Sequence, residues 1–256
     1  MADTLPISVV IIAKNEAARI NDCLASVAWA AERVVVDDGS SDETVALAQR
    51  MGARVLSRRM DIEGRHRNWA YEQATQPWVL SLDADERVTP ELAEEIRRLF
   101  AGTPPYDAYT MPRRNFIGTY WLRYGGWYPS AQLRLFQRGV FRYEEAEVHP
   151  RAICDRAWGN LRGDLVHYSY ADISDFMAKL NNQTTREAAK WHRTGRRMGL
   201  GVVLWRAADR FVRAYVFKQG YRDGFLGLMA ALFGSWYQLL SYAKYWELQQ
   251  RGKTPP

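Results

Sequence analysis

Cysteine is nearly absent from this sequence. Cys23 and Cys154 are the only two in 256 residues, with neither metal-ligand spacing nor a disulfide framework, so reduced thiols in a cytosolic compartment are expected. No glycine-rich phosphate loop is present either. Neither G-x-G-x-x-G nor the lysine-containing P-loop occurs at the first strand-to-helix turn, which argues against dinucleotide and ATP sites of those types. The opening Met-Ala-Asp-Thr-Leu-Pro lacks a basic segment followed by an apolar run, so no secretory signal is expected. Internal repeats and low-complexity segments are also missing. Acid is scarce toward the C-terminus: from Trp191 onward eleven Lys and Arg face three acids, a surplus of eight. The whole chain carries +6, so residues 1–190 hold about −2.

Apolar and aromatic residues are plentiful. The chain is 47% hydrophobic with Trp 10 and Tyr 14, and it is long enough to bury a substantial core. Many of the aromatics lie beyond residue 105, which suggests a stacking or membrane-facing surface in addition to core. Residues 7–13, I-S-V-V-I-I-A, read as a strand covered on both faces, and Ile20, Leu24 and Val27 mark one face of a following helix. Val34-Val35-Val36 is a second strand, ending in Asp37-Asp38-Gly39-Ser40. Ser40 with Glu43 fits a capping box for a helix running to about Met51. Val55-Leu56, a basic helix over 64–74 and the strand from Val79 follow. Thr89-Pro90-Glu91 then starts a helix that buries Leu92, Ile96 and Leu99. This alternation predicts an α/β fold, a Rossmann-like and mostly parallel sheet with helices on both faces. Residues 132–143 read as a hairpin turning at Arg138-Gly139, with Leu133 and Leu135 on one face. From about Asp172 the sequence reads as helices. The expected division is a nucleotide-binding and catalytic domain over 1–170 and a helical, basic region over 171–256.

Three strand ends carry acids: Asn15-Glu16, Asp37-Asp38 and Asp83-Ala84-Asp85. Parallel strands present their carboxyl ends together, so these residues should converge where open α/β sheets bind ligands. A single D-x-D is as easily a solvated turn; three acidic ends on one edge suit a nucleotide sugar. Asp37 can accept hydrogen bonds from a uracil N–H or ribose hydroxyls, and Asp83 and Asp85 can hold a hard divalent cation against a diphosphate.

The stretches V-V-I-I-A-K-N-E (9–16), V-V-V-D-D-G-S-S-D-E-T (34–44), R-H-R-N-W-A (65–70) and L-S-L-D-A-D-E-R-V (80–88) resemble those of family 2 glycosyltransferases with a GT-A fold. G-G-W-Y-P (125–129), L-R-L-F (133–136) and V-H-P-R (148–151) look like the branch that builds bacterial lipopolysaccharide core and exopolysaccharide. The resemblance covers about residues 5–190. It implies inverting, Mg2+- or Mn2+-dependent transfer from a UDP-sugar to a lipid-linked or cell-surface glycan. By motif position, Asn15, Glu16, Asp37 and Asp38 would serve the nucleoside, Arg65 and Arg67 the uracil or phosphate, and Arg134 the diphosphate. Asp83 and Asp85, with His149 or His167, would serve the metal. Many relatives carry an acid after the G-G-W-Y-P proline, where this chain has Ser130. The base is therefore sought at Glu147 or Glu145, with Glu144 beside them.

Residues 226–243 carry no charge, just at the length of a membrane span, but Ser235, Gln238, Ser241 and Tyr242 weaken that reading. Before them, Arg206, Arg210 and Arg213 lie beside Trp205, Phe211 and Val212, the layout of an interfacial helix. Peripheral attachment to an anionic membrane, at the cytoplasmic face of the inner membrane, is expected from this, with a homo-oligomer contact as the competing use; no nucleic-acid partner is expected. Two other readings remain open: a sugar nucleotidyltransferase, and a non-enzymatic basic module for membrane or nucleic acid in which the aspartates only cap turns.

Overall fold

The computed structural model describes residues 4–145 and 151–251, and by internal contacts the chain falls into two units. The first runs to Arg113 and resumes over Ser130–His167; the second takes Arg114–Pro129 and the chain from Tyr168 on. The expected boundary at 170 is therefore accompanied by an excursion, because residues 114–129 leave the first unit and return.

The first unit opens with β1 (Leu5–Ala13), α1 (Ile20–Ser26), β2 (Ala30–Asp37), α2 (Thr44–Arg50), β3 (Arg54–Ser57), α3 (Glu63–Glu72) and β4 (Trp78–Asp83). Then come the short β5 (Glu86–Val88), α4 (Pro90–Phe100) and β6 (Ala108–Met111). In the second unit β7 (Arg113–Ile117) and β8 (Tyr120–Leu122) make an antiparallel hairpin. Back in the first are β9 (Gln132–Gln137), β10 (Phe141–Tyr143), β11 (Ala152–Cys154), β12 (Trp158–Asn160) and the first half of β13 (Leu165–Tyr170).

The central sheet has the order β12-β6-β9-β4-β1-β2-β3, parallel at every pairing except the two made by β9. Strand β1 explains why helices cover both faces. Its Ile7, Val9 and Ile11 join one apolar cluster with Ile20 and Leu24 of α1 and Leu92 and Ile96 of α4. Val10 joins another with Tyr71 of α3, Val36, Val79 and Phe136. A strand that buries alternate residues on both sides needs the near-continuous apolar run seen in 7–13. In α4, Thr89 Oγ1 accepts the Leu92 N–H at 3.2 Å, and Pro90 occupies the first helical position.

Two sequence expectations are corrected. The Ser40–Glu43 capping box does not form: the Ser40 hydroxyl accepts the Asn15 N–H, and Asp42 accepts the N–H of Thr44 at the start of α2. Residues 132–143 are not a two-stranded hairpin either. Strand β9 inserts between β4 and β6, where Leu135 and Phe136 are buried in the central sheet, while β10 pairs with β11. The β6–β9 register slips by one residue, with Tyr109 opposite Leu135 and Thr110 opposite Leu133, which leaves Arg134 as a bulge. Leu133 and Leu135 accordingly pack into opposite clusters and do not share a face.

The second unit also contains the end of β13, α5 (Ile173–Arg193), α6 (Leu200–Val212) and α7 (Gly224–Arg251). Between α6 and α7 lie a π-helical turn, Arg213–Phe217, and a 3-10 turn, Gly220–Asp223. Phe176 and Leu180 of α5 meet Ala230 and Phe233 of α7 around Ile117 and Leu122. Lys244 of α7 donates to Asn181, Thr184 and Thr185 of α5, which ties the two helices together without an acid.

Candidate active site

The register of β1 places the acidic strand ends at one level: Ala13 is opposite Asp37 on one side, and Ile12 is opposite Asp83 on the other. Asn15, at φ 55, ties the two neighbouring turns together. Its N–H donates to Ser40, and its Oδ1 accepts the Ser41 N–H at 2.8 Å. The Glu16 N–H donates to Thr44 Oγ1 at 2.8 Å, and the Glu16 carboxylate pairs with Arg19 at 3.2 Å.

Asp37 is buried and folds back on its own turn, accepting the N–H groups of Gly39 and Ser40 at 2.9 and 3.0 Å. Gly39 has φ +76, and a Cβ there would lie 2.7 Å from the Arg59 guanidinium, so the turn needs glycine. Asp38 points elsewhere. It accepts the Met60 N–H at 2.6 Å and the Lys14 ammonium at 3.0 Å. Burial acts to raise its pKa, but these two donors outweigh burial and hold it below the usual carboxylate range. Beside it, His66 is fully buried with neither ring nitrogen hydrogen-bonded; burial, only partly opposed by Asp38, lowers its pKa and keeps it neutral.

Asp83 lies between two guanidinium groups, Arg67 at 3.0 Å on one oxygen and Arg134 at 2.7 Å on the other. Burial alone would raise its pKa; the two arginines outweigh burial and hold it far below the ordinary range. Glu86, which is fully buried, accepts from Arg134 at 2.8 Å and Arg113 at 3.3 Å and also takes the Asp83 N–H at 3.0 Å. The result is a half-buried lattice of three arginines and two carboxylates, with Glu63 pairing to Arg67 at 3.2 Å on its outer side. Arg134 reaches it because the bulge turns its side chain inward, away from solvent. Glu86 and Arg113 were not singled out from the sequence. The signal available was the acid directly after D-A-D.

Asp85, one residue past the strand end, pairs with His167 Nε2 at 3.4 Å, and both side chains are partly open to solvent. The first half of β13 carries His167 there by pairing with β5, with His167 opposite Glu86. Asp83 and Asp85, expected to share a cation, therefore have different partners: a carboxylate with guanidinium on both oxygens is already charge-compensated, whereas Asp85 with His167 offers one oxygen and one nitrogen donor. Among the described residues no cluster of three or more His, Cys, Asp or Glu forms, so a cation here would complete its shell from substrate oxygens and water, as Mg2+ commonly does. The donor set fits such an ion.

Arg65 is bound to Glu145 at 3.1 Å and Asp61 at 3.0 Å on the exposed side of α3. One of the two expected bases is thus engaged by an arginine that had been assigned to nucleotide. Glu147 and His149 lie outside the described residues. Trp127, Tyr128 and Ser130 divide between the units, the two aromatics in the second and Ser130 in the first.

A model of the family described as Glycosyl transferase family 2 matches residues 8–158 of this chain. The lipopolysaccharide core biosynthesis glycosyltransferase LpsC of Rhizobium meliloti (strain 1021) is 31% identical over 255 residues, covering 96% of this chain and 94% of its own. An uncharacterized glycosyltransferase of Rickettsia typhi is 25% identical over 97% of this chain and 89% of its own. Among solved structures, glucosyl-3-phosphoglycerate synthase from Mycobacterium tuberculosis, crystallised with Mn2+, UDP and glucosyl-3-phosphoglycerate, matches at 24% identity and TM-score 0.35. That match covers 43% of this chain and 44% of that one, so the chain spans under half of the neighbour's length.

Proposed function

Because this chain belongs to the family 2 glycosyltransferases, we propose that it transfers a sugar from a UDP-sugar, with inversion and with Mg2+ or Mn2+, to a lipid-linked or cell-surface glycan. The glycosyltransferase assignment displaces the nucleotidyltransferase and binding-module readings. The observation that carries the donor reading is the arginine lattice beside Asp85 and His167. Arg67, Arg113 and Arg134 converge on Asp83 and Glu86, with Glu63 on Arg67 at 3.2 Å, and Arg67 Nη1 and Arg134 Nε are buried donors without an acceptor. Diphosphate oxygens are the acceptors that such donors lack.

In this reading Asp37 and Asp38 hold the nucleoside, and Arg67 and Arg134 orient the diphosphate from a position fixed by Asp83 and Glu86. Asp85 and His167 would hold the cation, whose chemistry is to neutralise charge developing on the leaving diphosphate. The proton of the acceptor hydroxyl passes to Glu147 or Glu145; if it passes to Glu145, Arg65 must release that carboxylate first. The acceptor class rests on the relative named for lipopolysaccharide core biosynthesis.

Calorimetric titration of UDP with Mn2+, with EDTA, and into Asp85→Ala and His167→Ala tests the donor site. Affinity should fall about 10- to 100-fold in EDTA and in either variant. Equal binding in all four would refute the cation assignment. Glu147→Gln should lower turnover and leave UDP affinity unchanged.

A further inference from the structure

The second unit carries an unusual surface. From α6 to the start of α7, Leu204, Trp205, Val216, Phe217, Tyr221 and Phe225 are exposed, with Trp205 at 71%, Phe217 at 76% and Phe225 at 73%. Helix α6 buries only Val203 and Ala207, so its apolar residues continue around to a side that is exposed among the described residues. Leu204, Ala208, Val212 and Val216 follow one another at four-residue spacing, and the π-helical turn extends that line one step beyond α6.

Charge around this surface is predominantly positive. Arg197, Arg213, Lys218 and Arg222 are exposed. The two acids between Arg193 and Phe225 are both engaged: Asp209 pairs with Arg213 at 2.7 Å, and Asp223 is buried. Exposed Trp, Tyr and Phe interleaved with Arg and Lys, and no exposed acid, match the aromatic and cationic belt of a bilayer interface. We propose that this face of the second unit docks on an anionic lipid bilayer.

The docked segment would also hold a loop singled out in the sequence. The Gly125 N–H donates to the Lys218 carbonyl at 2.8 Å, and Gly126, at φ +87, lies where a Cβ would meet the Lys218 side chain at 2.8 Å. Asp223 accepts the N–H groups of Arg123 and Tyr124 at 3.0 and 2.8 Å, and Arg222 stacks 4.4 Å over the Tyr124 ring. The residues entering the bilayer interface are therefore one or two positions from those that fix the G-G-W-Y-P loop. Docking would set that loop at the depth of the lipid headgroups. The proposal does not depend on which donor is used.

The test is flotation of the full chain with vesicles of phosphatidylcholine, with and without phosphatidylglycerol. The expected result is binding that requires phosphatidylglycerol and weakens in high salt. The variant Trp205→Ser/Phe217→Ser/Phe225→Ser should bind at least about tenfold more weakly, since each side chain removes apolar area from water on docking. UDP binding and a thermal melt on the same variant report whether it folds. If it does not fold, a nitroxide on Phe217→Cys in a Cys154→Ser background replaces it, and must become accessible to oxygen and shielded from a water-soluble nickel chelate when vesicles are added. Failure of the wild type to bind phosphatidylglycerol vesicles, undiminished binding by a folded triple variant, or a label that stays in water overturns the proposal. So does a triple variant whose one change in light scattering is loss of a dimer, which would make the face a contact between two copies.

Discussion

The two units break the ordinary distribution of polar and apolar groups in opposite directions. The first buries charge: Glu86 is wholly inside, Arg134 nearly so, and Asp83 is clamped between guanidinium groups at the end of an apolar strand. The second exposes apolar surface, with Trp205, Phe217 and Phe225 mostly in solvent. Buried charge is tolerated only with partners, and the first unit supplies them in Asp83, Glu86 and their arginines. An exposed apolar patch needs a partner that is not part of the unit. In the first unit the lattice surrounds the proposed diphosphate site; in the second the proposed partner of the surface is a bilayer.

Removing one member of the lattice should have the largest effect. Glu86→Ala leaves Arg134 and Arg113 facing each other without their shared carboxylate, and should lower stability by about 3–5 kcal/mol in urea denaturation. A loss below about 1 kcal/mol would mean that water already reaches the lattice and the contrast between the units is false. Asp223→Ala comes next. It deprives the Arg123 and Tyr124 N–H groups of a buried acceptor and should cost about 1.5–3 kcal/mol, with hydrogen exchange at residues 123–126 accelerated more than in α5.

How much of this was legible follows from which groups act locally. The α/β order, the α4 cap at Thr89-Pro90 and the convergence of Asp37 with Asp83 were readable, because period and capping are local and parallel register aligns strand ends. The inward turn of Arg134 was not, because it depends on a one-residue slip between β6 and β9, strands about twenty residues apart that the chain joins only after leaving for the second unit. The arginines on Asp83 were hidden for the same reason: Arg67 and Arg134 come from distant positions. His167 was noticed as a candidate, but its match to Asp85 depends on β13 pairing with the three-residue strand β5, too short to read from periodicity.

His66 gives a smaller effect with a definite sign. Its folded pKa is lowered by burial, so below about pH 6.5 the unfolded chain takes up a proton that the folded chain refuses. Stability should therefore decline as pH falls through that value, by on the order of 1 kcal/mol near pH 5.5. Since neither ring nitrogen has a partner, His66→Leu should change stability by no more than about 1 kcal/mol at neutral pH and should flatten the decline. An unchanged slope would place the proton uptake elsewhere and make His66 an ordinary apolar filler.

The smallest predicted effect separates the units most cleanly. Trp205 is 71% exposed, so little of its surface is removed from water when the chain folds, and Trp205→Ser should alter stability by less than about 0.5 kcal/mol. The side chain can still matter for docking, because the area that folding leaves in water is the area a bilayer covers. Denaturation at two protein concentrations makes the measurement decisive. No stability change at either, together with weaker vesicle binding, is the behaviour of a surface completed by lipid. A loss above about 1 kcal/mol that grows with protein concentration would show the tryptophan covered by another copy of the chain, since only association makes stability concentration-dependent. In that case the apolar surface of the second unit would be completed by protein, and both units would follow the same rule.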